Sequence, residues 1–121
     1  MILIDTSVWI DFLRDRDPTL KDLLERQQVL MHSMVKGELA LGYLKDRAEI
    51  LSFLGDLPRI NTSLDNVVMD FIETHNIMGK GIGWVDAHLL TAVYQDSIKL
   101  WTRDKRLNAI AQYLNLAHNF A

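Results

Sequence analysis

Short apolar runs spaced between amphipathic stretches decide what this chain can fold into. Ile2-Leu3-Ile4 is wholly apolar, as expected of a strand buried on both faces. Val29-Leu30-Met31-His32 and Ile98-Lys99-Leu100-Trp101 read as further strands, with a short one at Arg59-Ile60 and a terminal one from Leu116 to Phe120. Between them the periodicity is helical. Val8 to Leu13 fits a short helix after the capping residues Asp5-Thr6-Ser7. Pro18 suits the first turn of a second helix, which runs to about Gln28. Ser33 is placed to cap a helix to Leu44, and Asp46 to Leu54 is helical by its apolar spacing. Thr62 or Ser63 is expected to cap the next helix, through Val68 and Ile72. Helices over Trp84 to Gln95 and Asp104 to Leu114 complete the series. Strands alternating with helices predict an α/β fold with a mainly parallel sheet. In such sheets ligands bind beyond the carboxyl ends of the strands.

The chain has 121 residues, 49% hydrophobic and 24% charged, which predicts one folded domain over 1–121. Cysteine is absent, so disulfide scaffolds, thiolate zinc sites and cysteine nucleophiles are excluded. No apolar run approaches the ~18 residues that span a bilayer. The start, Met1-Ile2-Leu3-Ile4-Asp5, lacks a basic leader, so the expectation is a cytoplasmic protein with no membrane association.

Four acids stand out by position. Asp5 follows the first apolar run directly, and Asp104 follows Leu100-Trp101-Thr102; both fall at the sheet edge where sites form. Glu38 shares a helical face with Val35, Leu39 and Gly42, and Asp86 shares one with Leu89, Leu90 and Val93. Carboxylates on apolar stripes are costly unless compensated. One divalent cation would compensate several together, and all-oxygen ligation points to Mg²⁺ or Mn²⁺ instead of zinc. Such an ion activates water and neutralises phosphoryl charge, so phosphodiester hydrolysis is the chemistry these acids suit. The net charge of −3 argues against nucleic acid only superficially: without the four acids, 12 remain against 13 Lys and Arg, leaving +1. Lys36, Lys80, Arg103, Lys105 and Arg106 flank these positions as candidate phosphate contacts. If the acids share a pocket, removing one should leave metal-free stability level or raised, and repulsion should raise at least one carboxyl pKa.

Four segments together resemble the motifs of the PIN-domain ribonucleases. They are Ile2-Leu3-Ile4-Asp5-Thr6-Ser7-Val8-Trp9-Ile10-Asp11, Gly37-Glu38-Leu39, Gly81-Ile82-Gly83-Trp84-Val85-Asp86-Ala87-His88-Leu89-Leu90 and Leu100-Trp101-Thr102-Arg103-Asp104. The resemblance is closest to the VapC-type toxins of bacterial toxin–antitoxin pairs, and runs the length of the chain. It implies a PIN-like three-layer α/β/α sandwich around a mainly parallel sheet of four to five strands. It also implies a Mg²⁺-dependent endoribonuclease, with Mn²⁺ as a possible substitute, held inactive by a cognate VapB-like antitoxin and commonly homodimeric. Asp5, Glu38, Asp86 and Asp104 would line the site as metal ligands and catalytic residues. Thr6, Ser7 and Thr102 match positions that hydrogen-bond ligands or substrate.

Each acid also has a plain structural explanation. Asp5 can end a strand, Asp104 can cap a helix, Asp86 suits a first helical turn, and Glu38 lies on the surface if the helix phase is one step off. Asp11 is expected on a solvated helix face, and His88 as a partly buried structural histidine. Gly79, Gly81 and Gly83 lack the Lys-Ser/Thr ending of a P-loop and read as a turn presenting Asp86. Two other functions compete. A phospho-acceptor receiver module would need paired acids after the first strand and a late Lys-Pro, where this chain has Asp5 alone and Lys105-Arg106. A binding-only domain with a vestigial site would not need the intact acid set.

Overall fold

The structure, a computed structural model, describes residues 1–120. Ile2–Ile4 form β1, buried throughout. Asp5 ends it and caps α1 (Thr6–Asp15), which packs Val8 and Trp9 inward. Arg16, in the left-handed region at φ 56°, closes α1. Asp17 then caps α2 (Pro18–Glu25), its Oδ1 accepting from the N–H groups of Thr19 at 2.8 Å and Leu20 at 3.2 Å.

After β2 (Val29–Leu30) comes α3 (Ser33–Leu41). Its cap is His32, not the expected Ser33: the imidazole Nδ1 accepts from the Met34 N–H at 3.0 Å. The Arg47 guanidinium donates to the carbonyls of Ala40 at 2.7 Å and Gly42 at 3.3 Å, covering the end of α3, and α4 (Arg47–Asp56) follows. Next are α5 (Asp65–His75), α6 (Trp84–Asp96), β3 (Lys99–Trp101) and α7 (Lys105–Tyr113). Neither Thr62 nor Ser63 caps α5, which begins after Leu64; the Ser63 hydroxyl instead donates to Gln95 Oε1 on α6 at 2.8 Å.

The sheet is all parallel, in the order β2-β1-β3. Among the described residues it has three strands, not the four to five expected. Arg59 and Ala117 each join it through one isolated bridge, to Met31 and Leu100 respectively. A single bridge sets no run of ladder hydrogen bonds, so the expected strands at 59–60 and 116–120 reduce to edge contacts. Contacts link α1 with α2 and α3, and α3 with α4; α5 pairs with α6, and α6 meets β3. One apolar cluster joins β1, β2 and β3 to Trp9, Leu20, Leu90 and Leu107. Burying each such side chain is worth up to about 1.5–3 kcal/mol.

This topology fixes where a site can lie. The chain leaves β1 for β2 on one side and later returns to β3 on the other. The order therefore reverses at β1, and a crevice opens beyond the carboxyl ends of β1 and β3.

Candidate active site

Asp5 stands at that crevice and is buried, 5% exposed. Its Oδ2 accepts from the Ser7 hydroxyl at 2.7 Å, the Thr102 hydroxyl at 2.8 Å and, more weakly, the Ser7 N–H at 3.4 Å. The Asp5 N–H donates to the Trp101 carbonyl at 2.9 Å, completing the join between the two strand ends. Thr102 accepts in turn from the Asp104 N–H at 3.0 Å, and Ser7 Oγ from the Arg103 N–H at 3.0 Å. Asp104 caps α7 through Oδ1, which accepts from the Leu107 N–H at 2.9 Å. Its structural and chemical readings are thus compatible.

The other two acids arrive from helices. Glu38 Oε1 accepts from the Thr6 hydroxyl at 2.7 Å, which brings α3 to the start of α1. Asp86 sits in the first turn of α6, its Oδ2 accepting from the Gly83 N–H at 3.0 Å. The loop before it needs glycine at Gly79 and Gly81, with φ of 68° and 81°. The expectation that these glycines form a turn presenting Asp86 agrees with this geometry.

Burial, however, differs from the sequence expectation. Asp5 is enclosed and Asp86 half-buried, but Glu38 and Asp104 are exposed. Val35 and Leu39 do face the core; Glu38 falls at the edge of their stripe, on the crevice side. The Asp86 carboxyl is pushed above the usual range, first by burial and then by the negative charges of Asp5, Asp104 and Glu38, with the Gly83 N–H opposing. All three other acids therefore bear on Asp86.

Each carboxylate is fixed through one oxygen. Oδ1 of Asp5, Oε2 of Glu38, Oδ1 of Asp86 and Oδ2 of Asp104 accept no hydrogen bond from the described residues. No Lys or Arg among the described residues forms an ion pair with any of the four. Uncompensated, oxygen-only donors of this kind fit a hard divalent cation. Among the described residues, no group of three or more acids or histidines stands close enough together to hold a metal ion as it is, so the fit rests on the chemistry of the donors.

Arg103 departs from its expected role. Its guanidinium pairs with Asp11 at 2.5 Å and with Asp17, and lies 5.4 Å from the centre of the Trp101 ring. It is occupied as a clamp between α1, the cap of α2 and the β3–α7 turn, not free for phosphate, and Asp11 is its partner instead of a merely solvated acid. No local pattern in the sequence signals this, because the pairs span 92 and 86 residues. His88 is buried more fully than expected, edge-on to Trp84 with ring centres 4.7 Å apart and its Nε2 3.3 Å from Asp65 Oδ1.

The sequence matches the PIN domain family over residues 2–113, and the chain belongs to that family. Among its relatives is Ribonuclease VapC32 of Mycobacterium tuberculosis, 42% identical over 110 residues, covering 90% of this chain and 89% of the relative. The protein of that name from a second strain matches equally. Two solved structures share the fold. One is the crystal structure of FitAcB from Neisseria gonorrhoeae, with a TM-score of 0.63 at 20% identity, covering 93% of this chain and 94% of that one. The other is the structure of FitAB bound to an IR36 DNA fragment, with a TM-score of 0.66 at 18% identity, covering 100% and 99%.

Proposed function

We infer that this protein is a VapC-type endoribonuclease, the toxin of a VapBC-type pair, and that Asp5, Glu38, Asp86 and Asp104 hold the Mg²⁺ it uses, with Mn²⁺ as a substitute. The kinship to Ribonuclease VapC32 supports the activity. The observation that carries the site is the set of four acids, each tethered by one oxygen while the other accepts no hydrogen bond from the described residues, with three of them bearing on the half-buried carboxyl of the fourth, Asp86. Family membership in turn sets aside the receiver-module alternative.

When bound, the cation acidifies water and screens charge on a phosphoryl group. The residues of the chain do the rest. Ser7 and Thr102 hold Asp5 Oδ2 and so present Oδ1; the Gly83 N–H does the same for Asp86. Thr6 steadies Glu38, whose exposed carboxylate orients the attacking water. Asp104, rigid as a helix cap, completes the ligand set.

The antitoxin's surface follows from the same reading. A groove of about 480 Å³ lies between α1, α3 and α4, lined by Ile10, Leu13, Leu39, Tyr43 and Ile50, with Glu38 at its rim. Ile10 and Tyr43 are exposed, Tyr43 at 96%. An amphipathic antitoxin helix laid there would place an adjoining arm over the acids. Homodimerisation and cytoplasmic action belong to the same reading, and no helix among the described residues is long and apolar enough to cross a membrane.

The test is cleavage of cellular RNA by purified, antitoxin-free protein. Cleavage should require Mg²⁺ or Mn²⁺, stop with chelator, and disappear in Asp5→Asn and Asp86→Asn. Full activity in either variant would refute the assigned roles.

A further inference from the structure

Five cations flank the acidic motifs, and the structure separates them. Arg103 is paired with Asp11 and Asp17. Lys36 is directed to the end of α4, its Nζ lying 3.0 Å from where a Cβ on Gly55 would stand. Lys80, Lys105 and Arg106 are exposed and form no ion pair among the described residues. Of these, Arg106 packs against a neighbouring backbone. It lies across Gly81: a Cβ there would come within 2.8 Å of Nη1 and 2.9 Å of Cδ. Real Cβ contacts are essentially never so short, so the bare backbone of Gly81 leaves the room this side chain uses.

Arg106 also heads one face of α7. Positions 106, 109, 110 and 113 recur at helical spacing. Ala109, Ile110 and Tyr113 line a groove of about 330 Å³, closed on its other side by His75, Ile77 and Lys80. Tyr113, at the far end, is 82% exposed. From Arg106 to Tyr113 is about 10 Å along the helix, the rise of about three stacked nucleotides.

We propose that this groove is a track for the single-stranded RNA flanking the cleaved bond, with Arg106 on a backbone phosphate and Tyr113 as a stacking platform for a base. This deepens the ribonuclease reading and rests on it. Charge favours this occupant, because Lys80 lines the groove and Arg106 precedes it on the same face of α7, neither with an ion-pair partner among the described residues. Continuity does too: Arg106 is two residues past Asp104, and Lys80 three before Gly83, which holds Asp86. Arg106 has no ion pair with these acids, which leaves its guanidinium available to the strand instead of quenching the site. Single-stranded binders combine the same two elements, a cationic edge and aromatic faces.

The test is binding of a fluorescein-labelled single-stranded RNA dodecamer to the protein in chelator, over a range of salt, with sedimentation run in parallel. Arg106→Ala should weaken binding and flatten the salt dependence by about 0.7 in log–log slope, one phosphate's share on a single strand. Tyr113→Ala should weaken binding about fivefold or more without changing that slope, and Tyr113→Phe should restore it. Wild-type affinity and slope in both alanine variants would overturn the proposal. So would loss of a dimer in Tyr113→Ala with RNA binding unchanged, which would make this face an interface between copies of the chain. Wild-type protein that cleaves RNA while the variants bind normally defeats the track alone; wild-type protein that neither binds nor cleaves RNA defeats the ribonuclease reading and the track with it.

Discussion

Asp5 and Asp86 are both candidate ligands, yet neutralising them should have opposite effects on stability. Asp86 is half-buried, and its carboxyl is pushed up by burial and by three acids. An acid whose folded pKa is raised stabilises only while protonated. That contribution is lost as pH rises above the ordinary range, near 3.8, through the folded value. In chelator at neutral pH, Asp86→Asn should therefore melt a few degrees higher (~1 kcal/mol), with the gain shrinking as pH falls toward that range; an unchanged or lower melting temperature at pH 7 would contradict this. Asp5 differs because its Oδ2 takes three donors and caps α1. Asp5→Asn should cost about 1–2 kcal/mol in the same melts. For Asp5 these contacts replace the expectation of level or raised stability with a predicted loss, since repulsion is only part of what it experiences.

At the level of elements, two devices hold the site's supports. His32 caps α3 with a neutral imidazole, its pKa lowered to about 4, first by burial and then by His88. A base depressed in the folded state binds its proton more readily when unfolded, so stability should fall as pH drops from about 6.5 through 4. Asn also caps helices but does not titrate in this range. His32→Asn should flatten that slope in pH-dependent denaturant melts, and an unaltered slope would exclude His32 as its source. Arg103 is the second device. Burial works against the Asp17 charge, but the Arg103 guanidinium and the Leu20 and Thr19 N–H groups hold its carboxyl below the usual range. Because the Arg103 side chain is one-third exposed, Arg103→Met should cost only about 1 kcal/mol, and high salt should narrow the difference from wild type. These devices also mark what the sequence could not convey. β1 and its following Asp were legible because a wholly apolar triplet ending in an acid has few other uses. The edge contacts of Arg59 and Ala117 are not legible as such, because sequence pattern does not distinguish one bridge from a ladder. Nor is the exposure of Glu38, because it shares a face with the buried Val35 and Leu39 and periodicity does not locate the edge of a stripe. The Arg103 clamp joins residues that only the closed fold brings together.

Over the whole molecule, a net charge of −3 hides a segregation. Acids with no cationic partner among the described residues collect where the sheet order reverses, and Arg106 on α7 and Lys80 at the groove beside it carry positive charge next to them. An acidic crevice with a cationic approach suits a polyanion that must meet a divalent ion, where a uniformly basic surface would not concentrate that ion. The direct measurement is a Mn²⁺ titration followed by electron paramagnetic resonance on wild type, Asp5→Asn, Glu38→Gln, Asp86→Asn and Asp104→Asn. Saturable binding by the wild type, weakened about tenfold or more in Asp5→Asn and Asp86→Asn and measurably in the other two, is the predicted result. Equal Mn²⁺ affinity in all five proteins, or none in the folded wild type, would contradict it.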